Sequence, residues 1–231
     1  MPVGVLTGLE FEADLFDIFR GAKDPPIIRC LGTRGPDSTK AIKELILLGC
    51  DSLLSFGIAG GLRPGAEIGD LMIADKVICS TDKRSFEADP DWRRALLGKL
   101  ETSFSVGEWT CIGAETMVGE PREKKALFND MAGVFVDMES HLVARAAEEA
   151  GLPFAVLRVI CDTSDMRIPP WVLSSVSENG VIKYSLLILQ AFKNLKDWPN
   201  LYALKSGSAQ ARSVLKNAVI HLGPNLGRTV I

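Results

Sequence analysis

Several features are scarce in this 231-residue chain, and each absence narrows its possible functions. Lysine and arginine together number 26 against 29 aspartates and glutamates, and no basic stripe occurs in the first 200 residues, so we expect no nucleic-acid partner. No apolar run reaches the roughly 18 residues of a membrane-spanning helix. The first residues also lack the basic start and apolar core of a secretory leader. These absences predict a soluble, cytoplasmic protein.

Cysteine and histidine are also sparse. The five cysteines are an odd number, widely spaced and mostly inside apolar stretches, which is typical of reduced core residues. There are only two histidines, His141 and His221, and none of these residues has metal-ligand spacing. His141 lies two residues after Glu139, about 200° around a helix from it, so we interpret it as a packing or interface residue. We therefore expect neither a metal nor a cofactor.

The remaining pattern is an alternation of short apolar runs with longer amphipathic segments. With 47% apolar residues the chain can bury one sizeable core. Apolar runs bounded by glycine or polar residues predict strands, and segments with a period near 3.6 predict helices. The predicted strands are residues 2–6, 27–31, 52–56, 71–79, 104–112, 133–136 and 153–161. The predicted helices are residues 10–20, 38–48, 91–100, 121–131, 139–150 and 181–192. This order predicts a three-layer α/β/α sandwich with a mixed central sheet.

The C-terminal part differs in charge. From Leu201 onward there are four basic residues besides histidine and no acidic residue. We expect residues 1–195 to form the main domain and residues 196–231 to be a basic, helical extension of it. An amphipathic helix packed on the domain is the interpretation that we favour for residues 201–222. Peripheral contact with an anionic membrane surface is the alternative.

Three segments place small or acidic residues where an apolar run stops. They are residues 55–61, 136–140 and 158–162. In an open α/β sheet, strand ends are where ligands bind. Glu139 and Asp162 are separated by one helix and one strand, so their carboxylates can converge from neighbouring strand ends. Two carboxylates in one cleft indicate bond cleavage through a cationic sugar.

Each acidic residue also has a purely structural interpretation. Asp162 can cap the turn that it begins with Thr163 and Ser164. Glu139 and Glu12 lie early in predicted helices, where a negative charge is stabilised by the helix dipole. The local pattern alone leaves these alternatives open.

The motifs in these segments resemble those of a known family. Gly57–Gly61 with Pro64-Gly65 and Ile68–Asp70, then Val136–Glu139 and Arg158–Asp162, are similar to the purine nucleoside phosphorylases and nucleosidases. The similarity extends in order from Val3 to about Asp165. More narrowly, residues 136–165, the following Ile168-Pro169-Pro170 and the long C-terminal extension resemble the hopanoid-associated phosphorylases of bacteria.

The resemblance implies a role for each matching residue. Asp162 would place a proton on the purine ring, Glu12 would activate water, and Glu139 would hold the ribose hydroxyls. The other implied contacts are Met138 with the ribose, Val136 with the substrate, Gly60 and Gly61 with the ligand through their backbone, and Thr116 and Met117 with the base. Gly8, after the first strand, is a candidate contact for phosphate oxygens. Arg34, in the loop after the second strand, is a candidate replacement for the family's phosphate cation, and a solvated loop arginine is the alternative.

The resemblance also implies a substrate. It would be an adenine nucleoside whose 5' carbon carries a lipid, adenosylhopane, with Ile168 and Trp171 lining an apolar exit. A nucleosidase for methylthioadenosine or adenosylhomocysteine and a non-catalytic nucleoside-binding protein are the alternatives. Inorganic phosphate is a possible co-substrate, because phosphorolysis and hydrolysis both remain open: Ser55 and Ile58 stand where hexameric phosphorylases carry phosphate-binding residues. The family assembles as oligomers, which implies a homo-oligomer.

Overall fold

The computed structural model describes residues 1–32, 37–104 and 106–228, without the side chains of residues 37 and 38. The strands are β1 (Gly4–Thr7), β2 (Ile27–Cys30), β3 (Leu53–Gly61), β4 (Leu71–Cys79), β5 (Ser85–Glu87), β6 (Val106–Gly113), β7 (Phe135–Asp137) and β8 (Phe154–Asp162). The helices are α1 (Glu10–Ala13), α2 (Asp37–Leu47), α3 (Pro90–Leu100), α4 (Pro121–Met131), α5 (Ser140–Ala150), α6 (Tyr184–Lys193) and α7 (Trp198–Leu222). Short 3₁₀ helices span Asp14–Phe19, Pro170–Ser175 and Leu195–Asp197.

The strands form one mixed sheet. β2, β1, β3 and β8 run parallel to one another, while β8 pairs antiparallel with β4. β4 and β6 are parallel, as are β6 and β7, and β7 returns antiparallel to the end of β3. The pairings of β3, β8, β4, β6 and β7 therefore make a closed circuit, and this circuit brings the ends of β3, β7 and β8 together.

Helices cover the sheet on both sides, which confirms the predicted α/β sandwich with a mixed sheet. One core cluster joins the sheet to α2 and α5 through residues such as Ile42, Leu45 and Val143. The other joins it to α3 and α7 through residues such as Leu96 and Leu215. The apolar face of α7 lies in that second cluster, in line with the packing interpretation of residues 201–222.

Two local predictions differ from the structure. The third strand does not end at Phe56 but continues through Gly61, because Gly57 pairs with Arg158 of β8 and Gly60 with Val136 of β7. The segment predicted as a helix over residues 10–20 is one turn of α-helix followed by the first 3₁₀ helix. The glycine segment is therefore paired strand, not a loop of free N–H groups.

Among the helices of the described residues, none combines the length and the apolar character that crossing a bilayer requires. The 25-residue α7 is the longest helix there, and it carries lysine and arginine along its outer side. Its burial depends on close approach to β8 at Gly207, where an added Cβ would lie 2.1 Å from the carbonyl oxygen of Cys161.

We predict that Gly207→Ala lowers the free energy of unfolding by about 1–3 kcal/mol, because α7 must move away from β8. For a chain of this size, each kcal/mol corresponds to about 2–4 °C in Tm, which calorimetry can measure. Gly98→Ala in α3 is the matched control: no atom lies within 4 Å of its added Cβ, so the better helix propensity of alanine should leave Tm unchanged or raised. Equal Tm values for the two variants would contradict this packing.

Candidate active site

A buried arginine lies at the centre of the polar residues where β3, β7 and β8 meet. Arg158 of β8 is 1% exposed. Its Nε is 2.7 Å from Asp137 Oδ2, and its Nη2 is 3.1 Å from Glu139 Oε2. The same Nη2 donates to Ser55 Oγ at 2.6 Å. One guanidinium thereby holds side chains from β3, from β7 and from the start of α5.

The charges of this cluster change the protonation of its members. Burial lowers the pKa of Arg158, but the nearby charges of Asp137, Glu139 and Glu12 outweigh it and raise this pKa above its ordinary value. Burial raises the pKa of Glu139 to about 7, with Asp137 and Glu12 adding to the rise and Arg158 opposing it. Glu139 is therefore partly protonated near neutral pH, while the guanidinium stays charged.

Asp137 orders the beginning of α5. Its Oδ1 accepts the backbone N–H of Ser140 at 3.0 Å, and its Oδ2 accepts the Ser140 hydroxyl. Both Asp137 and Glu139 contact the guanidinium of Arg158. Asp137 thus positions Glu139, which is the N-cap residue of α5.

Glu12 is 1% exposed and is held by the backbone of two segments. Its Oε2 accepts N–H groups of Gly8 and Leu9, both at 2.9 Å, and its Oε1 accepts the N–H of Ile58 at 2.8 Å. Burial raises the pKa of Glu12, against the opposing effects of Arg158 and these backbone donors. A carboxylate offers about four acceptor positions, so three N–H donors leave about one for another donor.

Glycines make room for the carboxylates. An added Cβ at Gly57 would lie 2.4 Å from Glu12 Oε1, and one at Gly8 would lie 2.7 Å from Glu139 Oε1. At Gly60 the nearest atom would be Asp162 Oδ2, at 3.2 Å. The Gly8 N–H, expected to face phosphate oxygens, donates to Glu12 instead. These glycines therefore shape the site by admitting acidic side chains.

Asp162 ends β8 and is 2% exposed. Its Oδ2 forms an ion pair with the Nζ of Lys124, a residue of α4 that is completely buried. Lys124 also donates to the carbonyl oxygens of Thr163 at 2.7 Å and Met166 at 2.9 Å. Its three donors are thus all used in joining α4 to the end of β8 and to the loop that follows.

Opposing effects act on the protonation of Asp162. Burial raises its pKa, whereas the charge and hydrogen bond of Lys124 and a 3.2 Å contact from the Cys161 thiol lower it, and the net direction is upward. A buried carboxyl with a raised pKa at a strand end can act as a proton donor. The structural interpretation of Asp162 as a turn cap does not describe its principal contact, which is Lys124.

The other predicted ligand contacts lie at different distances from this centre. Val136 pairs with Gly60, and Gly60 pairs with Asp162, so these three residues lie side by side across β7, β3 and β8. Gly61 lies beside the Asp162 carbonyl, with 3.2 Å from its added Cβ to that oxygen. Met138 is half-buried between Asp137 and Glu139.

The proposed base-binding and exit residues lie in two other segments of the chain, one after β6 and one after β8. Thr116 is exposed and lines a cavity of about 360 Å³, and Met117 is half-buried beside it. Ile168 is buried and donates its N–H to the Gly119 carbonyl at 2.9 Å. Trp171 is half-buried and donates from Nε1 to Asp197 at 2.9 Å. Arg34, the predicted phosphate cation, lies outside the described residues.

The sequence patterns did not single out two buried cations of this site. Arg158 interrupts an otherwise apolar strand, which is a signal, because an arginine in a strand covered on both faces requires acidic partners. Lys124 had no such signal: it is one of two adjacent lysines early in an amphipathic helix, and only α4 packing shows which one is buried.

Together these residues form a largely buried polar site with three acidic groups of raised pKa, Glu12, Glu139 and Asp162. Such a site can exchange protons with a ligand and can accept hydrogen bonds from hydroxyl groups. The described cations at its centre, Arg158 and Lys124, are already paired with carboxylates.

Comparisons with known proteins are consistent with this geometry. The fold is similar to that of a 5'-methylthioadenosine/S-adenosylhomocysteine nucleosidase from Colwellia psychrerythraea, with a TM-score of 0.75 and 16% identity over 100% of this chain and 98% of that one. It is also similar to futalosine hydrolase of Helicobacter pylori, with a TM-score of 0.68 and 18% identity over 95% and 97% of the two chains.

At the sequence level, 54 residues are 39% identical to a uridine phosphorylase of Thermococcus kodakarensis. This match spans 23% of the chain and about a fifth, 20%, of that relative's length. The family model of the phosphorylase superfamily matches residues 6–179, which include the strand ends described above. The family expected from the motifs is thereby confirmed: the chain belongs to the phosphorylase superfamily.

Proposed function

We propose that this protein cleaves the N-ribosidic bond of a 5'-substituted adenine nucleoside and releases adenine. The observation that carries the proposal is the position of Asp162, a buried carboxyl of raised pKa. It pairs with Gly60, and the other strand neighbour of Gly60 is Val136, which directly precedes Asp137 of the Arg158 cluster. Cleavage of this bond needs a proton for the departing base and stabilisation of a cationic sugar.

Asp162 is proposed to protonate the purine ring. Its raised pKa favours the protonated form that a general acid needs, and Lys124 limits that rise. As the C–N bond breaks, its electron pair goes to the purine, and the proton from Asp162 neutralises the leaving base. The ribose is left as an oxocarbenium ion.

Glu139 is proposed to bind the ribose hydroxyls. Its Oε2 is engaged by Arg158, and the side chain is 13% exposed, so acceptor positions remain for hydroxyl donors. In its ionised form it also places negative charge beside the cationic sugar. Arg158 and Asp137 fix the orientation of Glu139, because they pair with each other and Asp137 also accepts the backbone N–H of Ser140, the next residue.

We favour hydrolysis over phosphorolysis. Three backbone N–H groups orient Glu12, and its raised pKa makes its carboxylate a stronger base toward a water molecule than a free glutamate is. Water loses a proton to Glu12 as its oxygen bonds to the sugar carbon. A phosphate ion would need free N–H donors and a free cation. The Gly8 N–H already donates to Glu12, and Arg158 and Lys124 are already paired with carboxylates. Inorganic phosphate remains the co-substrate of the competing reaction, with Arg34 as its proposed ligand.

An apolar 5' substituent is supported by an exposed apolar surface in the chain segment that follows Asp162. The bridge between Val176 and Ile182 closes a turn whose Gly180 carbonyl accepts the N–H of Glu10 at 3.1 Å, so this turn packs on the start of α1. Directly after it, α6 and the beginning of α7 expose apolar side chains. These are Tyr184, Ile188, Leu189, Phe192, Leu195, Trp198 and Tyr202, which we call the α6 surface.

Spacing and contacts make the α6 surface continuous. Tyr184, Ile188 and Phe192 are four residues apart on one side of α6, and the ring centroids of Phe192 and Trp198 are 5.9 Å apart. Lys183, Lys193, Lys196 and Lys205 are exposed around it, and the one acidic residue between positions 179 and 228, Asp197, is buried in an ion pair with Arg167. A basic rim around apolar side chains suits an anionic lipid surface.

We therefore propose that peripheral membrane contact uses the α6 surface rather than the whole of residues 201–222, and that the substrate is a lipid-linked nucleoside such as adenosylhopane. A smaller thioether nucleoside, methylthioadenosine or adenosylhomocysteine, is the competing substrate. The paired and buried carboxylates favour an enzyme over the non-catalytic binding protein that the sequence also left open.

The reaction is tested with adenosylhopane, a 5'-alkyl adenosine and methylthioadenosine, each with and without phosphate, followed by mass spectrometry. We expect adenine and a free sugar in the absence of phosphate. Asp162→Asn and Glu12→Gln should each lower kcat/KM by about 10²–10⁴-fold, since each removes a proton-transfer group. Asp165→Asn, an exposed acid three residues after Asp162, should retain activity.

The products distinguish the alternatives. A sugar 1-phosphate that forms only with phosphate would overturn hydrolysis but keep bond cleavage. Absence of adenine from a folded protein that still binds the nucleosides would overturn cleavage and favour the binding protein.

The pH profile of kcat tests the pairing of Asp162. If Asp162 must be protonated, activity falls on the alkaline side as this carboxyl ionises. Lys124→Met removes the cation that lowers its pKa, so the alkaline limb should move to higher pH, while the lost anchoring of Thr163 and Met166 reduces the maximal rate. Lys125→Met, at the exposed neighbouring lysine, should leave the limb unchanged. An unmoved limb in Lys124→Met would contradict the assignment of Asp162 as the acid.

Membrane contact is tested by flotation with vesicles of phosphatidylcholine and phosphatidylglycerol. We expect binding that weakens in high salt and with phosphatidylcholine alone, because each basic residue near an anionic surface contributes about 1 kcal/mol. The double variant Ile188→Ser, Phe192→Ser should lose binding. Leu47→Ser, Leu48→Ser is the control, since both leucines are exposed elsewhere, at the end of α2.

A different outcome would contradict membrane contact. If the wild type does not bind vesicles, and Ile188→Ser, Phe192→Ser dissociates a dimer detected by light scattering, a second copy of the chain covers the α6 surface.

A further inference from the structure

A second group of potential ligands lies outside the carboxylate cluster. Cys79 ends β4, Glu115 follows β6, and His141 lies in the first turn of α5. Their Sγ, carboxylate and ring nitrogen atoms all lie within 4.8 Å of one another. The His141 Nε2 is 3.7 Å from Glu115 Oε1.

The fold brings these residues together by backbone pairing. Cys79 is the register partner of Gly113 in the parallel pair of β4 and β6. Glu115 lies two residues after Gly113 and is therefore close to the end of β4. Gly113 also makes room for the histidine, because a Cβ added at Gly113 would lie 2.3 Å from the Cβ of His141. The three ligands therefore come from the end of β4, from the residues just after β6 and from the first turn of α5.

His141 is the strongest indication of a ligand. It is 1% exposed, and neither ring nitrogen has a hydrogen-bond partner among the residues that the structure describes. A buried polar group without a partner costs free energy, so such a group calls for an explanation.

The surrounding charges favour a cation. Glu115, Asp82 and Asp137 act on His141 as negative charges, and Arg145 as a positive charge. The Arg145 Nη2 lies 4.0 Å from the Cys79 sulfur, but it is paired with Asp82 at 2.7 Å. Asp137 is paired with Arg158. Of the three acids, Glu115 is therefore the one whose charge is not balanced by the Arg145–Asp82 or the Arg158–Asp137 ion pair.

We propose that Cys79, Glu115 and His141 bind one divalent transition-metal ion of the Zn²⁺ class. Sulfur, imidazole nitrogen and carboxylate oxygen are the ligands that Zn²⁺ prefers, at about 2.3, 2.0 and 2.0–2.2 Å. Around a tetrahedral ion these bond lengths place sulfur and nitrogen about 3.5 Å apart, so ligand atoms that lie within 4.8 Å of one another have to move closer together when the metal binds. Three protein ligands leave a fourth position for water, and Glu115 lines the cavity of about 360 Å³ that can supply it.

Such a site would connect the sheet to α5 two residues from Glu139. It differs from the expectation that the sequence raised, in which His141 only packs and no metal binds. The separation of Cys79, Glu115 and His141 along the chain, 36 and 26 residues, hides the set from any search for local ligand spacing.

Cobalt titration of the purified protein tests the site without an activity assay. We expect one Co²⁺ per chain, with a thiolate-to-cobalt charge-transfer band in the near ultraviolet that Zn²⁺ abolishes, and an increase in Tm with either metal. Cys79→Ser should lose the charge-transfer band, and His141→Asn should lose the stoichiometric binding. Cys50→Ser, at a buried cysteine in another part of the core, should retain both signals.

The variants must be folded for this comparison, which circular dichroism and Tm without metal establish. Glu115→Gln provides a second route, because Glu115 is exposed and its replacement should weaken binding with little effect on the metal-free Tm. Absence of Co²⁺ and Zn²⁺ binding by the wild type, or equal charge-transfer bands in wild type and folded Cys79→Ser, would overturn the proposal.

Discussion

The buried guanidinium of Arg158 is the interaction on which the site depends. It lies in the middle of β8, and it holds Asp137, Glu139 and Ser55 from three other parts of the chain. Removing one partner from such a buried ion pair typically costs about 3–5 kcal/mol, because the other charge stays buried without compensation. Arg158 thus makes it possible to keep several carboxylates in the interior, and it fixes where Glu139 points.

The same electrostatic arrangement explains why the site needs glycine. Each acidic side chain enters space that a Cβ would fill: Glu12 at Gly57, Glu139 at Gly8, and Asp162 at Gly60. Backbone N–H groups then satisfy Glu12, so the glycines and the carboxylates stabilise one arrangement together. The glycine motif was expected to contact a ligand through its backbone. It is also required for burying the acids that are proposed to act on that ligand.

Lys124 extends this organisation from β8 to α4. Its single ammonium group compensates Asp162 and also ties down the loop through two carbonyl oxygens. Beyond that loop, the anchored Trp171 and the α6 surface continue toward solvent. The proposed proton donor, Asp162, and the proposed lipid contact therefore lie in consecutive parts of one chain segment.

The sequence by itself determined the family and the order of strands and helices apart from β5, and it singled out Glu12, Glu139 and Asp162 as candidate acids, because periodicity, strand ends and local motifs are encoded by neighbouring residues. It did not determine that β3 continues through its glycines, since only pairing with β7 and β8 satisfies that backbone. Nor did it distinguish the buried Lys124 from its exposed neighbour or bring Cys79 beside His141. Those outcomes were decided by the tertiary structure, because partners far apart in sequence determine whether a charge or a ligand is buried.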